Sequence, residues 1–141
     1  MRRSIPRYLI LPALFALTSA ACGDNLTTTT PTDTTSTTVT ETFSGTINPN
    51  GGVTHTFTIP RSGSLTATLS ALNPDNTLTI GLSLGTWNGE SCQTVIARDS
   101  TVVGNSIVGT ASAAGSFCVR VYDAAGKLTE PTSYDVQVTH P

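Results

Sequence analysis

The chain has 141 residues, enough for one domain, with 11% charged residues, 38% apolar residues and a net charge of −2 at pH 7. Glutamate and lysine are too scarce to cover the surface of a coiled coil or a helical bundle. The sequence also has no basic stripe that would neutralise phosphates, which argues against binding to nucleic acid.

The first 21 residues have the pattern of a bacterial export signal. Three arginines lie near the N-terminus. An apolar run, Tyr8–Leu17, follows them, and small residues then continue up to Ala21. The apolar run is too short to cross a bilayer as a stable helix, and Pro12 interrupts it. We therefore predict that residues 1–21 are a signal peptide, which is removed from the mature protein.

The residue that follows the signal peptide is a cysteine. Ser19-Ala20-Ala21-Cys22 resembles the lipobox of bacterial lipoproteins, although Ser19 stands where leucine is usual. The resemblance implies lipid attachment at Cys22 and a membrane-anchored protein of the cell envelope, and Gly23 favours the outer membrane or cell surface. The alternative is ordinary cleavage after small residues, which would release an unlipidated secreted effector or inhibitor.

Three cysteines occur in the chain, an odd number for an exported protein. If Cys22 carries lipid, Cys92 and Cys118 remain to form one disulfide. A metal site is disfavoured, because these two cysteines lack the CxxC spacing and the histidines are only His55 and His140. The sequence therefore predicts a disulfide, no metal ion and no cofactor.

The predicted mature chain begins with a low-complexity segment. Residues 22–40 are dominated by threonine and have almost no large apolar side chains, so they cannot offset the entropy cost of ordering. We predict a disordered linker that separates the lipid anchor from a folded domain. The domain is predicted to span residues 41–141.

From Glu41 onward, apolar and polar residues alternate with a period of two, as in half-buried strands. In the segment 53–59, for example, Phe57 and Ile59 alternate with threonines. Clear strand patterns cover residues 53–59, 64–70, 78–84, 117–122 and 134–139, and weaker ones cover 42–47, 92–97 and 101–110. About eight short strands without a convincing helix predict an all-β domain, an antiparallel β-sandwich or jelly roll.

Several of these strands carry motifs of a known family. Phe43–Ile47 has the form F-x-G-x-ϕ, Phe57–Ile59 the form F-T-ϕ, and Gly63–Leu69 is a glycine-led strand. The two closing segments, Ala114–Tyr122 and Ser133–Val138, match G-x-Y-x-V-x-V and Y-x-ϕ-x-V in outline. Residues 41–139 thus resemble the bacterial pre-peptidase C-terminal domain family, with an immunoglobulin-like sandwich as the alternative.

The resemblance implies a non-catalytic module that assists export, surface attachment or polymer binding beside secreted peptidases. Some relatives bind calcium through acidic residues around the early hairpin. In this chain Val53 stands where an aspartate is common, and Glu41 is the only acid between Asp33 and Asp75. A calcium site is therefore not expected at this hairpin.

Two aromatic residues are candidates for contact with a ligand or partner. Trp87 lies in a predicted loop, residues 85–90, where its ring would stack on a sugar, anchor a partner or cover one end of the core. Tyr122 falls on the polar face of its predicted strand. These residues predict contact with an envelope protein or a polysaccharide.

His55 falls on the apolar face of its predicted strand, which favours a packing role. The sequence lacks a G-x-S-x-G motif and a histidine-containing metal motif. We therefore predict a non-catalytic binding or structural module of the cell envelope. The alternative from a different class is a small envelope hydrolase that uses His55 with an acidic residue.

Overall fold

Eight strands follow one another in residues 37–141, the part of the chain that the structure, a computed structural model, describes. They are β1 (Val39–Ile47), β2 (Gly52–Ile59), β3 (Gly63–Asn73), β4 (Ile80–Trp87), β5 (Cys92–Thr101), β6 (Ser106–Ala111), β7 (Gly115–Tyr122) and β8 (Thr132–His140). These residues form no helix, so none of them makes a helical membrane span. The predicted signal peptide, Cys22 and the linker up to residue 36 lie outside the described residues.

The strands form two four-stranded sheets. Sheet 1 has the order β1-β8-β3-β6, sheet 2 has the order β2-β7-β4-β5, and all pairs of neighbours are antiparallel. The inner residues of both sheets form one hydrophobic core, which includes Ile47, Phe57, Leu69, Leu82, Val119, Tyr134 and Val136. The predicted all-β antiparallel sandwich is confirmed.

The first strand begins earlier than the sequence pattern indicates. Val39 pairs with His140, and Thr40 pairs with Thr139. These two residues therefore belong to β1 and not to the linker predicted for residues 22–40. Their own sequence is linker-like, but β8 supplies the hydrogen-bonding partners that order them.

Two other predicted boundaries are wrong. β4 extends to Trp87, which pairs with Cys92, so Trp87 ends a strand and does not lie in a loop. The strand predicted over residues 101–110 is interrupted by a turn, because the Asn105 N–H donates to the Val102 carbonyl at 3.0 Å. Gly104 has φ +90° in that turn, a conformation that favours glycine.

β4 is buried on both faces, whereas its alternating sequence predicts one exposed face. Leu82 and Leu84 point into the core, and Ser83 on the other face is only 1% exposed. The outer face is covered because the ring of Tyr122 lies directly over Gly81. A Cβ atom at Gly81 would overlap this ring. A pattern of small residues between leucines therefore marks a central strand that is covered on both sides.

The predicted disulfide between Cys92 and Cys118 is confirmed, with the two Cα atoms 5.8 Å apart. The two cysteines lie on β5 and β7, which flank β4 in sheet 2. In a flat sheet these strands would be about 9.6 Å apart, whereas a disulfide needs Cα atoms roughly 4.4–6.8 Å apart. The start of β5 leans over β4 at Gly85, where a Cβ atom would overlap the Gln93 carbonyl oxygen.

We expect the double substitution Cys92→Ala/Cys118→Ala to lower the free energy of unfolding by about 3 kcal/mol, because the bridge closes a loop of 26 residues. Urea unfolding measures the loss. Gly85→Val keeps both cysteines but should prevent the approach of β5, leaving two thiols that react with an alkylating agent. A fully oxidised, equally stable Gly85→Val protein would contradict this account.

At one end of the sandwich, the Asp123 carboxylate organises two loops. It accepts hydrogen bonds from the backbone N–H groups of Asn50 at 3.0 Å, Lys127 at 3.0 Å and Leu128 at 3.3 Å. Burial by itself raises the pKa of Asp123, but the backbone donors, Gly126 included, outweigh burial and the net pKa is lowered. The carboxylate therefore joins the β1–β2 turn to the loop before β8.

Asp123→Asn should reduce the free energy of unfolding at pH 7 by about 2 kcal/mol, since hydrogen bonds to a charged acceptor are lost. Because the pKa of Asp123 is lowered in the folded state, its stabilisation is present above the unfolded pKa and disappears as the pH falls through the folded pKa. Urea unfolding between pH 2 and 7 tests both points. The wild type and the variant should converge in acid; a constant difference would contradict the assignment.

Candidate functional site

Both aromatic residues singled out in the sequence lie on the outer face of sheet 2. Phe117 packs against the core and pairs with Thr86, so Thr86 points inward and Trp87, the next residue of β4, points outward. Gly81 pairs with Tyr122, and this pair also lies on the outer side, opposite the core. The structure therefore places Trp87 and Tyr122 on one surface, at opposite ends of β4.

Tyr122 is held in place by three neighbours. Its hydroxyl donates to Asp99 Oδ1 at 2.5 Å, its ring covers Gly81, and the guanidinium carbon of Arg120 lies 5.2 Å from the ring centroid. Burial, with the hydrogen bond to Asp99, raises the pKa of Tyr122 to about 12. The phenol therefore stays protonated, and the half-buried ring is a fixed feature of the surface.

Trp87 lines a pocket of about 300 Å³, which we call the Trp87 pocket. The other lining residues are Glu41, Thr56, Phe57, Thr58 and Ser116. Three of them carry hydroxyl groups, and Glu41 carries a carboxylate. The Trp87 pocket thus combines an indole ring with several hydrogen-bonding groups.

A second pocket, of about 310 Å³, opens where the edge strands β5 and β6 approach each other; we call it the β5–β6 pocket. Its apolar wall comes from four side chains that face the core, Leu65, Leu84, Ile96 and Phe117. Most of the remaining wall is residues 109–116, a run of glycine, alanine, serine and threonine, and Gly85, Thr86 and Val95 complete it. None of the described residues that line this pocket is charged.

Val95 stands at the mouth of the β5–β6 pocket and is 71% exposed. Leu84 pairs with Ile96 and Gly85 with Thr94, so Val95 is the extra residue of a β-bulge. Bulges redirect a side chain and are common at sheet edges. Neither the pocket nor the exposure of Val95 is apparent from the sequence, because residues 109–116 show only the end of one predicted strand, a short turn and the start of the next.

The opposite side of the sandwich is filled by aromatic rings. His55 stacks on Phe43 with the ring centroids 5.1 Å apart, and its Nε2 atom lies 2.7 Å from the Tyr134 hydroxyl. Burial lowers the pKa of His55. His55 is therefore half-buried and hydrogen-bonded to a core tyrosine, the position that the packing interpretation predicts.

His140, the other histidine, is buried in the same region. Its ring stacks on Phe57 at 5.4 Å, and its Nε2 atom lies 2.8 Å from a carboxylate oxygen of Glu41. The structure thus pairs an acid with His140 and not with His55, the histidine of the hydrolase alternative. Among residues 37–141, no group of three or more metal-ligating side chains is gathered at one point.

No protein-family model matches the chain, and no curated protein matches it either. The fold is similar to that of a mitogen from Yersinia pseudotuberculosis, with a TM-score of 0.54 and 17% identity over 73% of this chain and 86% of that one. It is also similar to PliG from Aeromonas hydrophila, a periplasmic inhibitor of g-type lysozyme, with a TM-score of 0.51 and 13% identity over 70% and 83%.

At these identities the two structures show the fold alone, an antiparallel β-sandwich. The resemblance to the pre-peptidase C-terminal domain family stays a prediction. The disulfide is itself typical of proteins that fold in an oxidising, extracytoplasmic compartment.

Proposed function

We propose that this chain is a non-catalytic binding module of the bacterial cell envelope, anchored through lipid on Cys22, and that it binds a protein partner at the β5–β6 pocket. The observation that carries the proposal is the pocket itself. It is an apolar opening of about 310 Å³ with no charged lining residue. Ligand pockets usually measure roughly 300–1,000 Å³, so this one has room for a single large side chain or little more.

The position of the pocket indicates how a partner would be held. β5 and β6 are the outermost strands of their sheets, so each has a free edge with unpaired backbone groups. An extended segment of a partner pairs with such an edge and places alternate side chains into a neighbouring pocket. The occupant in this proposal is a large apolar side chain on an extended segment of another protein.

The fold is compatible with this function. PliG, one of the two structures described above, is an inhibitor of g-type lysozyme, so a sandwich of this kind acts on another protein there. The disulfide supports an extracytoplasmic location, and the lipobox-like segment Ser19–Cys22 supports a lipid anchor. In this chain the partner is unidentified, and the pocket defines the chemistry that it must offer.

Lipid attachment is tested by Cys22→Ser. The wild type expressed in a Gram-negative host should enter the detergent phase with membrane lipoproteins, because the acyl chains of a mature lipoprotein hold a protein stably in a bilayer. The variant should enter the aqueous phase. An equal distribution of the two proteins, or a wild type in the aqueous phase, would favour the unlipidated secreted form.

The β5–β6 pocket is tested by a photo-reactive amino acid at Ala113, which lines it. In cells, irradiation should give one discrete adduct with another protein, and Val95→Glu should reduce the adduct at least about tenfold, since a charge at the mouth must be desolvated on binding. Val108→Glu is the matched control. Val108 is 59% exposed and is not among the residues that line the pocket.

The mass of the adduct separates the outcomes of this experiment. A second copy of the chain would overturn the proposal of a different partner. So would an adduct that survives Val95→Glu undiminished, or the absence of an adduct in the wild type. Circular dichroism should show that both glutamate variants keep the wild-type β spectrum.

A further inference from the structure

The outer face of sheet 2 offers a second site with different chemistry. We infer that the Trp87 pocket on this face binds a hexopyranose unit of a carbohydrate, with the indole of Trp87 as its platform. The inference is independent of the β5–β6 pocket, because the two pockets share only Ser116 among their lining residues.

A row of side chains crosses the sheet at Trp87. Ser116 pairs with Thr58 on one side, and the β4–β7 register places Trp87 on its other side. Thr56 and Glu41 complete the Trp87 pocket beside this row. The indole therefore stands next to several hydroxyl groups and a carboxylate.

This combination suits a sugar. A hexopyranose ring presents C–H groups on its face and hydroxyl groups around its edge. The C–H groups pack against the indole, while serine and threonine hydroxyls both donate to and accept from sugar hydroxyls. Glu41 Oε1, which lies 2.8 Å from His140 Nε2, belongs to a carboxylate that is held in place as an acceptor.

A protein partner is a poorer match for the same pocket. Tryptophan often dominates protein–protein binding energy, but serine and threonine, which supply three of the other five lining residues, rarely do. The exposed large apolar residues in the described part of the chain are Val39, Val95, Val102 and Val108, and none of them lines the Trp87 pocket. The polar row around Trp87 thus favours carbohydrate.

The ligand site is confined to the end of β4 that holds Trp87. On the same face of β7, Cys118 lies between Ser116 and Tyr122 and is fully buried, because the disulfide and the start of β5 cover the sheet there. The Tyr122 ring lies over Gly81 and against Arg120, and it does not line the Trp87 pocket. The pocket therefore takes the sugar unit that packs on Trp87, and the rest of a longer chain lies outside it.

The disulfide holds the indole of Trp87 in position. Trp87 pairs with Cys92, and Cys118 pairs with Gly85 two residues before Trp87. The bridge therefore clamps the end of the β4–β5 hairpin to β7, so Trp87 stays in one position before a ligand arrives. Such preorganisation reduces the entropy that binding would otherwise cost.

Trp87 is the only tryptophan of the chain, so selectively excited tryptophan emission reports on this site alone. Titration of the wild type with chitohexaose and with cellohexaose should change the emission saturably for at least one of them. The choice between the two separates an N-acetylated chain from a plain glucan. The corresponding disaccharide should bind with a Kd within about tenfold of that of the hexasaccharide, because either ligand places one hexopyranose face on Trp87.

Calorimetry of variants completes the test. Trp87→Ala should raise the Kd for the hexasaccharide at least about tenfold. Val108→Ala, on the other sheet, and Val95→Glu should bind like the wild type. If Trp87→Ala does not fold, Trp87→Phe keeps a smaller ring and should show an intermediate Kd.

Two results would overturn the inference: no fluorescence or heat signal with either hexasaccharide at millimolar concentration, or equal affinity of Trp87→Ala and the wild type. Loss of the Ala113 adduct in Trp87→Ala, without sugar binding by the wild type, would assign Trp87 to the protein partner instead.

Discussion

The missing side chain of Gly85 is the constraint on which the described domain depends. The disulfide must join two strands that are separated by β4, and it forms only because the start of β5 crosses over Gly85 toward β7. Any Cβ atom at this position would overlap the Gln93 carbonyl. The same crossing contributes to the two-sided burial of β4 and fixes Trp87 at the end of the hairpin. One glycine thus connects the covalent framework of sheet 2 with its most prominent aromatic side chain.

The sandwich is closed on one side and open on the other. On the side of β1 and β2, the rings of Phe43, His55, Phe57 and His140 stack between the sheets. On the side of β5 and β6, the wall is built largely from glycine, alanine and serine, which leave the space unfilled. Proteins normally pack their interiors closely, so a core that ends in an opening of this size is an exception. The asymmetry explains why the two histidines are packing residues, and the open edge is where we propose that a partner binds.

The architecture was largely predictable from the sequence, because period-two alternation sets both the strands and their buried faces. The disulfide was predictable from cysteine arithmetic together with the predicted export signal. The ends of strands were harder. Val39 and Thr40 are ordered by pairing with β8, and Trp87 by pairing with Cys92, and these contacts between distant residues leave no local signal.

The candidate sites were likewise predictable from the sequence only in part. Trp87 and Tyr122 were identified as an exposed ring in a predicted loop and a ring on a polar strand face, but only the register of β4 and β7 brings them to one surface. The β5–β6 pocket was not predictable, since it arises from the absence of large side chains along residues 109–116 and from a bulge at Val95. A run of small residues in a sequence is typical of a turn. The cavity forms only because the two folded sheets bring this run opposite β5.

The placement of β1 has a consequence for geometry at the membrane. Val39 pairs with His140, Glu41 lines the Trp87 pocket, and Arg61 Nη2 donates to the Thr37 carbonyl at 2.7 Å, so the described chain starts at the end of the sandwich that holds Trp87. In the lipid-anchored protein that we propose, the 14 residues from Gly23 to Ser36 set a ceiling of about 50 Å on the distance between the bilayer surface and this end. The same ceiling would apply to a ligand of the Trp87 pocket, whereas the loops held by Asp123 are at the other end of the described domain.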